Sequence, residues 1–305
     1  MEEKNIIIFG KNSVLSKNFV QSIDKKNNKI IELTRKKVSK NDIECDLGNA
    51  INQNYIKKIS SNINRFSNSK DKIFILFAWS GRPRTSINDY QWQTNVNIVN
   101  NFLSICKFSM PSQIIFISTT SVYSEKTGGF FKEDDTKEPV SKYSKQKLIS
   151  ENKILEFSRI SNIKSTILRV STAYGFDTRF TSQGVVNKWI FDAINYGELQ
   201  LYNSLFSNIN FISFNQISKA ISISIEKQLI GIYNIATVKS LSLSYLLNKI
   251  KEITKKDLKV KIINNQQRNI NIDISKFFLK TGIKFENELE INIQLIYSSI
   301  KREIE

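Results

Sequence analysis

Tyr143 and Lys147 stand four residues apart, and Tyr143-Ser144-Lys145-Gln146-Lys147 reads as the opening of a helix. An i, i+4 spacing puts the phenol and the ammonium on one helical face. An ammonium beside a phenol favours the phenolate and lowers the tyrosine pKa. The pair is therefore expected to exchange a proton with a hydroxyl or carbonyl near neutral pH. Roughly twenty residues earlier a strand-like run ends in Ser118-Thr119-Thr120-Ser121-Val122-Tyr123, a row of hydroxyls suited to holding the same oxygen.

Other chemistries are excluded by composition. The chain has no histidine, so a Ser-His-Asp triad, a Cys-His pair and an imidazole base are all out of reach. Cys45 and Cys106 are too few for a disulfide framework and fit no metal-ligand spacing, so no metal site is expected.

The tyrosine and lysine need a scaffold. Residues 5–9 form a continuous apolar run into Gly10, the pattern of a buried parallel strand. Val14, Leu15, Phe19, Val20 and Ile23 then follow at helical spacing. Further strands are expected at 30–33, 73–78, 114–118 and 167–170, alternating with helices at 51–66, 90–108 and 143–160. That alternation predicts an α/β fold with a Rossmann-type doubly wound parallel sheet. After Gly175 the pattern loosens. Helices are expected at 185–194, 216–226, 242–253 and 288–304, with short strands at 200–202, 211–214, 232–235 and 258–263. The expected division is 1–174, carrying Tyr143 and Lys147, and 175–305, a smaller α/β region with some segments returning to the first sheet.

Doubly wound sheets bind ligands at the C-terminal ends of their strands. The first strand runs into Gly10-Lys11-Asn12-Ser13-Val14-Leu15-Ser16, where a dinucleotide-binding loop would place glycines at 10, 13 and 16. Small residues let the backbone approach a pyrophosphate, and the helix N-terminus offers N–H donors. Serine preserves the size but not the freedom in φ. The second strand leads to Thr34-Arg35-Lys36-Lys37, with no acid to receive a ribose 2′-hydroxyl and an Arg suited to a 2′-phosphate. NADP is thus favoured over NAD.

Net charge is +17. Such a balance fits an anionic partner. The basic residues are scattered, however, and form neither an arginine-rich arm nor a recognition motif, so nucleic acid is not the expected partner. The abundance of Lys, Asn and Ile reads equally as the drift of an AT-rich genome. No apolar run is long enough for a membrane span. The start, MEEKNIIIFG, does not read as a signal peptide, and the expected compartment is the cytoplasm.

With these elements in place the chain resembles the extended short-chain dehydrogenase/reductase family, also called the NAD-dependent epimerase/dehydratase family, from residue 6 to about 275. Asp46-Leu47 is similar to the family's Asp-Leu that meets the adenine. Ala78 stands where the fourth strand meets the cofactor, and Asn95-Val96 matches the Asn-Val opening the next long helix. Leu168-Arg169 with Ala173-Tyr174-Gly175 resembles Leu-Arg…Val-Tyr-Gly, and Gln183 to Val186, Phe211-Ile212 and Gly231 to Ile235 echo later segments. The resemblance implies that Thr119 is the catalytic Ser/Thr, Tyr143 the acid/base and Lys147 the residue holding phenol and ribose. It implies cofactor contacts from Gly10, Asn12, Ser13, Leu15, Ser16, Arg35, Asp46, Leu47, Ala78, Asn95, Tyr143 and Lys147, and substrate contacts from Thr120, Ser121, Thr172 and Arg268. It also implies a homodimer formed through the helices near 88–108 and 143–160.

This chain departs from the family pattern at several places. Ser13 and Ser16 replace glycines, Thr172 stands for a frequent Asn, Ile209 for a diphosphate-binding Arg, and Asn215-Gln216 for an acidic pair. Thr120 and Ser121 are not the acids that dehydratases place after the catalytic hydroxyl, which disfavours a dehydratase. The resemblance therefore implies a nucleotide-sugar 4-epimerase or 4-ketoreductase. A non-catalytic NAD(P)-binding regulator or scaffold on the same fold is the alternative, favoured by Ser13 and Ser16 and opposed by the intact Thr119, Tyr143 and Lys147.

Overall fold

The computed structural model describes residues 4–37, 39, 42–67, 71–81, 87–123, 129–176 and 184–304. Its elements run β1 (Lys4–Phe9), α1 (Val14–Ser22), β2 (Asn28–Thr34), β3 (Asp42–Glu44), α2 (Gln53–Phe66), β4 (Lys72–Leu76), α3 (Asp89–Ser109) and β5 (Gln113–Thr119). Then come β6 (Gly129–Phe131), α4 (Lys142–Ser161), β7 (Lys164–Val170), β8 (Thr172–Tyr174), α5 (Gly184–Asn195), β9 (Glu198–Leu201), β10 (Asn208–Ile209) and β11 (Phe211–Ser213). The remainder is α6 (Phe214–Glu226), β12 (Gly231–Ile235), β13 (Leu241–Ser242), α7 (Leu243–Thr254), β14 (Lys259–Ile262), β15 (Ile270–Ile272), α8 (Ser275–Thr281) and α9 (Leu289–Ile304).

The chain divides into two compact units. One comprises Met1–Val122, Pro139–Arg169 and Ser218–Tyr233; the other comprises Tyr123–Glu138, Val170–Ile217 and Asn234–Glu305. The first is built on a seven-stranded sheet in the order β12-β7-β5-β4-β1-β2-β3. Strand β1 is parallel to both β2 and β4, and the pairs β2–β3 and β4–β5 are parallel as well. The strand order reverses between β1 and β4, which opens a crevice at their C-terminal ends. This is the Rossmann-type sheet that the strand–helix alternation predicts.

Ile6, Ile7, Ile8 and Phe9 are fully buried, and every residue of β5 is buried. Such strands are apolar without alternation because helices cover both faces. Phe9 meets Phe102 of α3 edge-on, centroids 4.8 Å apart, and lies 5.1 Å from Phe74 of β4. An aromatic in such a cluster costs about 3–5 kcal/mol to truncate. Helix α2 turns Ile56, Ile59 and Ile63 to the same core. It begins two residues later than apolar spacing suggests, because the Asn52 side chain accepts from the Tyr55 N–H and fixes the cap there. Helix α3 opens on a capping box: Asn88 accepts from the Gln91 N–H, and the Gln91 side chain accepts from the Asn88 N–H. Ser141 caps α4 by accepting from the Ser144 N–H, and this cap places Tyr143 in the first turn.

In the second unit α5, α7 and α9 enclose Trp189, Leu246, Ile293, Ile296 and Ile300. Parallel pairs β8–β11, β9–β14 and β6–β15 and the antiparallel pair β10–β13 lie in it. The run expected at 200–202 is the end of β9. Strands β3, β6, β8, β10, β13 and β15 go unseen in sequence, because two or three residues carry no period. Among the described residues no helix is long and apolar enough to cross a membrane.

Candidate functional site

Helix α4 packs against β5 and the single turn that follows it at 120–122. That packing carries Tyr143 and Lys147 to the end of β5, both almost wholly buried. The Lys147 ammonium donates to the Ile117 carbonyl at 2.8 Å. It also faces the Trp79 ring at 3.8 Å, the Phe116 ring at 4.6 Å and the Tyr143 ring at 5.9 Å. Trp79 stands edge-on to Tyr143, centroids 6.3 Å apart. At the strand end Thr119 Oγ1 and Ser121 Oγ share a 2.7 Å hydrogen bond, and Thr119 Oγ1 also accepts from the Ser121 N–H at 3.2 Å. Thr120 is half-buried beside them.

The phenol does not have the lowered pKa that its spacing to Lys147 predicts. Lys147 is turned to the Ile117 carbonyl, and burial pushes Tyr143 above its ordinary value. Burial also pulls Lys147 down to about 7, while the nearby Glu151 carboxylate works to raise it. The phenol is thus a neutral donor, and the lysine sits close to its own titration.

Glu151, one further turn along α4, was not singled out from the sequence, although its i+4 spacing from Lys147 is the signal for it. Its carboxylate accepts from Arg169 Nη2 at 2.7 Å, from Arg169 Nε at 3.1 Å and from the Ser118 hydroxyl. Tyr143, Lys147 and Glu151 therefore form one buried column, anchored at its base to β7 and β5.

At the other end of the crevice Gly10 has φ +104°, and a Cβ there would stand 2.5 Å from the Ala78 nitrogen. Only glycine permits this approach of β1 to the segment after β4, where the Ala78 N–H donates to the Phe9 carbonyl at 2.8 Å. Ser13 caps α1 with no hydrogen bond from its side chain. Asn12 is exposed, Leu15 half-buried, and Ser16 fully buried with its hydroxyl unpartnered among the described residues. Arg35 is exposed just beyond β2. The sequence reading finds no acid at this strand end; the structure brings two near it. Lys11 donates to Asp42 at 2.7 Å and pairs with Glu32 at 3.1 Å. Burial opposes the Lys11 charge, but these two carboxylates outweigh it and raise its pKa.

Asn95 holds the segment after β4 from both sides, accepting from the Ser80 N–H at 2.7 Å and donating to the Ser80 carbonyl at 2.8 Å. It also donates to Gln146, whose amide donates to the Trp92 carbonyl, so α3 and α4 are locked beside Lys147. Two further asparagines of α3 fix the loop after β3: Asn97 donates to the Gly48 carbonyl and Asn101 to those of Leu47 and Asn49. Asp46 accepts from the Gly48 N–H and the Asn49 amide, each at 3.0 Å. The Leu47 side chain is buried in the core.

Thr172 and Arg268 belong to the second unit. Thr172 opens β8, and its N–H donates to the Asn210 carbonyl at 3.1 Å. The Arg268 N–H donates to Ser207 Oγ at 3.0 Å. Gln183 lies outside the described residues. Among the described residues no group of acids and cysteines is arranged to hold a metal ion.

A doubly wound parallel sheet whose fifth strand ends in hydroxyls beside a Tyr-x-x-x-Lys helix defines a class, and comparison gives its family. The chain belongs to the NAD dependent epimerase/dehydratase family, whose sequence model matches residues 6–236. No curated protein sequence matches the chain. Among solved structures it is similar to a UDP-glucuronic acid 4-epimerase from Bacillus cereus in complex with UDP-glucuronic acid and NAD, at TM-score 0.84 and 19% identity, covering 98% of this chain and 99% of that one. It is similar to a UDP-N-acetylglucosamine 4-epimerase from Methanobrevibacter ruminantium in complex with UDP-N-acetylmuramic acid, at TM-score 0.83 and 21% identity over 99% and 100% of the two chains. A UDP-glucose 4-epimerase from Thermus thermophilus in complex with NAD matches at TM-score 0.81 and 17% identity over 97% and 99%. At these identities the likeness establishes the fold.

Proposed function

We propose that the protein is an NAD(P)-dependent oxidoreductase acting on a nucleotide sugar, as a 4-epimerase or a 4-ketoreductase, with Tyr143 as acid/base. The observation that carries this reading is the buried pairing of Tyr143 and Lys147 on α4 at the hydroxyl-lined end of β5. A buried lysine whose pKa is pulled down to about 7 beside a buried phenol at a strand end supports this reading. Family membership and the nucleotide-sugar epimerases among its structural neighbours support a nucleotide sugar as the substrate class.

The crevice suits a dinucleotide. Gly10 lets β1 and the segment after β4 close together at the strand ends, the N-terminus of α1 offers backbone N–H groups, and Ser16 keeps a buried hydroxyl without a partner among the described residues. Gly10, Asn12, Ser13, Leu15 and Ser16 would hold the pyrophosphate, Arg35 the adenosine ribose, and Asp46 and Leu47 the adenine. Ala78, Asn95, Tyr143 and Lys147 would hold the nicotinamide half. Arg35 favours a 2′-phosphate, and hence NADP. When bound, the nicotinamide would give or take a hydride at the sugar carbon.

The chain's own residues then manage the proton. Burial keeps the Tyr143 phenol protonated, and it would deliver that proton to a carbonyl oxygen that is gaining negative charge. The resulting phenolate is balanced by Lys147 when that side chain carries its proton. Oxidation reverses each transfer. Thr119 would donate to the same oxygen, Thr120, Ser121 and Thr172 would line the sugar, and Arg268 would meet a phosphate. The two free, buried cysteines suit the reducing cytoplasm. Exposed Tyr90 on α3 and Ile149 on α4 support a homodimer through that helix pair.

The test is calorimetry with NAD and NADP, followed by turnover assays on nucleotide sugars and their 4-keto forms. Binding with turnover supports the proposal. Tight dinucleotide binding without turnover of any substrate shifts the reading to a regulator, the alternative that Ser13 and Ser16 favour. The absence of binding at millimolar dinucleotide overturns both.

A further inference from the structure

The proposed reaction needs Lys147 to meet a ribose and balance a phenolate, yet its ammonium is enclosed. One N–H is spent on the Ile117 carbonyl at 2.8 Å, and the Trp79 and Phe116 rings face the rest at 3.8 and 4.6 Å. Of these three groups only Trp79 reaches solvent; Phe116 and Ile117 are buried strand residues. The indole thus lies over the ammonium on its outward side, with its edge to Tyr143.

A second observation concerns the indole itself. Its Nε1–H is buried and has no hydrogen-bond partner among the described residues. With no partner for this donor among the described residues, no hydrogen bond seen there holds the indole in the closed position. The backbone beside it is held: Asn95 grips both the N–H and the carbonyl of Ser80. Movement therefore belongs to the Trp79 side chain rather than to the loop.

We infer that Trp79 is a cofactor-responsive positioning residue, whose indole covers Lys147 in the free protein and is displaced when a dinucleotide takes the lysine. The inference rests on the dinucleotide-binding reading above. It assigns Trp79 a cost to binding, since the competent state is the one with the indole displaced and apparent affinity falls with the population of that state. It also makes Trp79 a reporter, because the ring passes from a packed aromatic cluster to a new environment as Lys147 is engaged.

The experiment titrates the full-length protein with NAD and with NADP in their oxidised forms, reading tryptophan emission and calorimetric heat on the same samples. The chain holds three tryptophans, so the Trp79 signal is the difference between the wild type and W79F. The expected result is a red shift and greater acrylamide quenching of that difference signal, saturating with the heat, while the emission remaining in W79F stays in place. W79A, and W79L as a bulkier variant that lacks a π face, should bind the dinucleotide more tightly, by about tenfold if the displaced state is populated in roughly one molecule in ten. A merely structural tryptophan would weaken binding on removal. Heat of binding with no change in Trp79 emission, or affinity unchanged or weaker in whichever of W79A and W79L folds, overturns the inference and leaves the proposed function standing. No heat with either dinucleotide overturns both.

Discussion

Arg169 and Glu151 meet in a two-point ion pair, Nη2 to Oε2 at 2.7 Å and Nε to the same carboxylate at 3.1 Å, with neither side chain more than 1% exposed. The pair sits one turn beneath Lys147 and ties α4 to β7. Removing one partner strands a charge in the core, which costs about 3–5 kcal/mol, whereas replacing both with apolar groups of similar volume is nearly neutral. Arg169→Met should therefore lower the urea midpoint sharply, and Glu151→Leu with Arg169→Met should recover most of the loss. A single variant as stable as the wild type would mean that the pair contributes no such constraint.

Lys147 sets a pH dependence of stability. Burial lowers its pKa from 10.5 to about 7, so between these values the unfolded chain holds a proton that the folded chain has released. Stability rises with pH wherever the unfolded state binds more protons. Relative to Lys147→Met, the wild type should gain stability as pH rises from about 7 to 9, and the difference between the two proteins should level off below pH 7, where both states hold the proton. Urea midpoints of the two proteins across that range measure it. Parallel curves would show that Lys147 titrates normally.

Ser16 carries a fully buried hydroxyl with no partner among the described residues. An unmet buried polar group costs about 1–3 kcal/mol, so Ser16→Ala should stabilise the free protein by roughly 1 kcal/mol. The same change should weaken dinucleotide binding if that hydroxyl serves the ligand. Chemical denaturation and calorimetry separate the two effects, and a destabilised alanine variant would contradict the first.

The large elements were legible because they are long and periodic. The Ile6 to Phe9 run and the helix faces at Ile56, Ile59 and Ile63 each repeat a burial pattern that a window of residues can detect. Tyr143, Lys147 and Thr119 stand out as candidates because the chemistry proposed for them lies in residue type and spacing. The ionic clasp of Lys11 with Glu32 and Asp42 was not, since it joins the ends of three elements across sequence. Trp79 was invisible for a related reason: nothing in Ala78-Trp79-Ser80 reveals that its ring lies 3.8 Å over an ammonium far along the chain. The phenol pKa was misread because spacing places the lysine on the right face without showing that its N–H is already given to Ile117.

The most direct measurement is the turnover of Tyr143→Phe on the first nucleotide sugar or 4-keto sugar that the wild type converts. The change keeps the buried ring and deletes only the phenolic oxygen. Loss of a positioned acid/base should lower turnover by about 10²–10⁴-fold, with dinucleotide affinity nearly intact. Full activity in Tyr143→Phe would contradict the proposed chemistry outright.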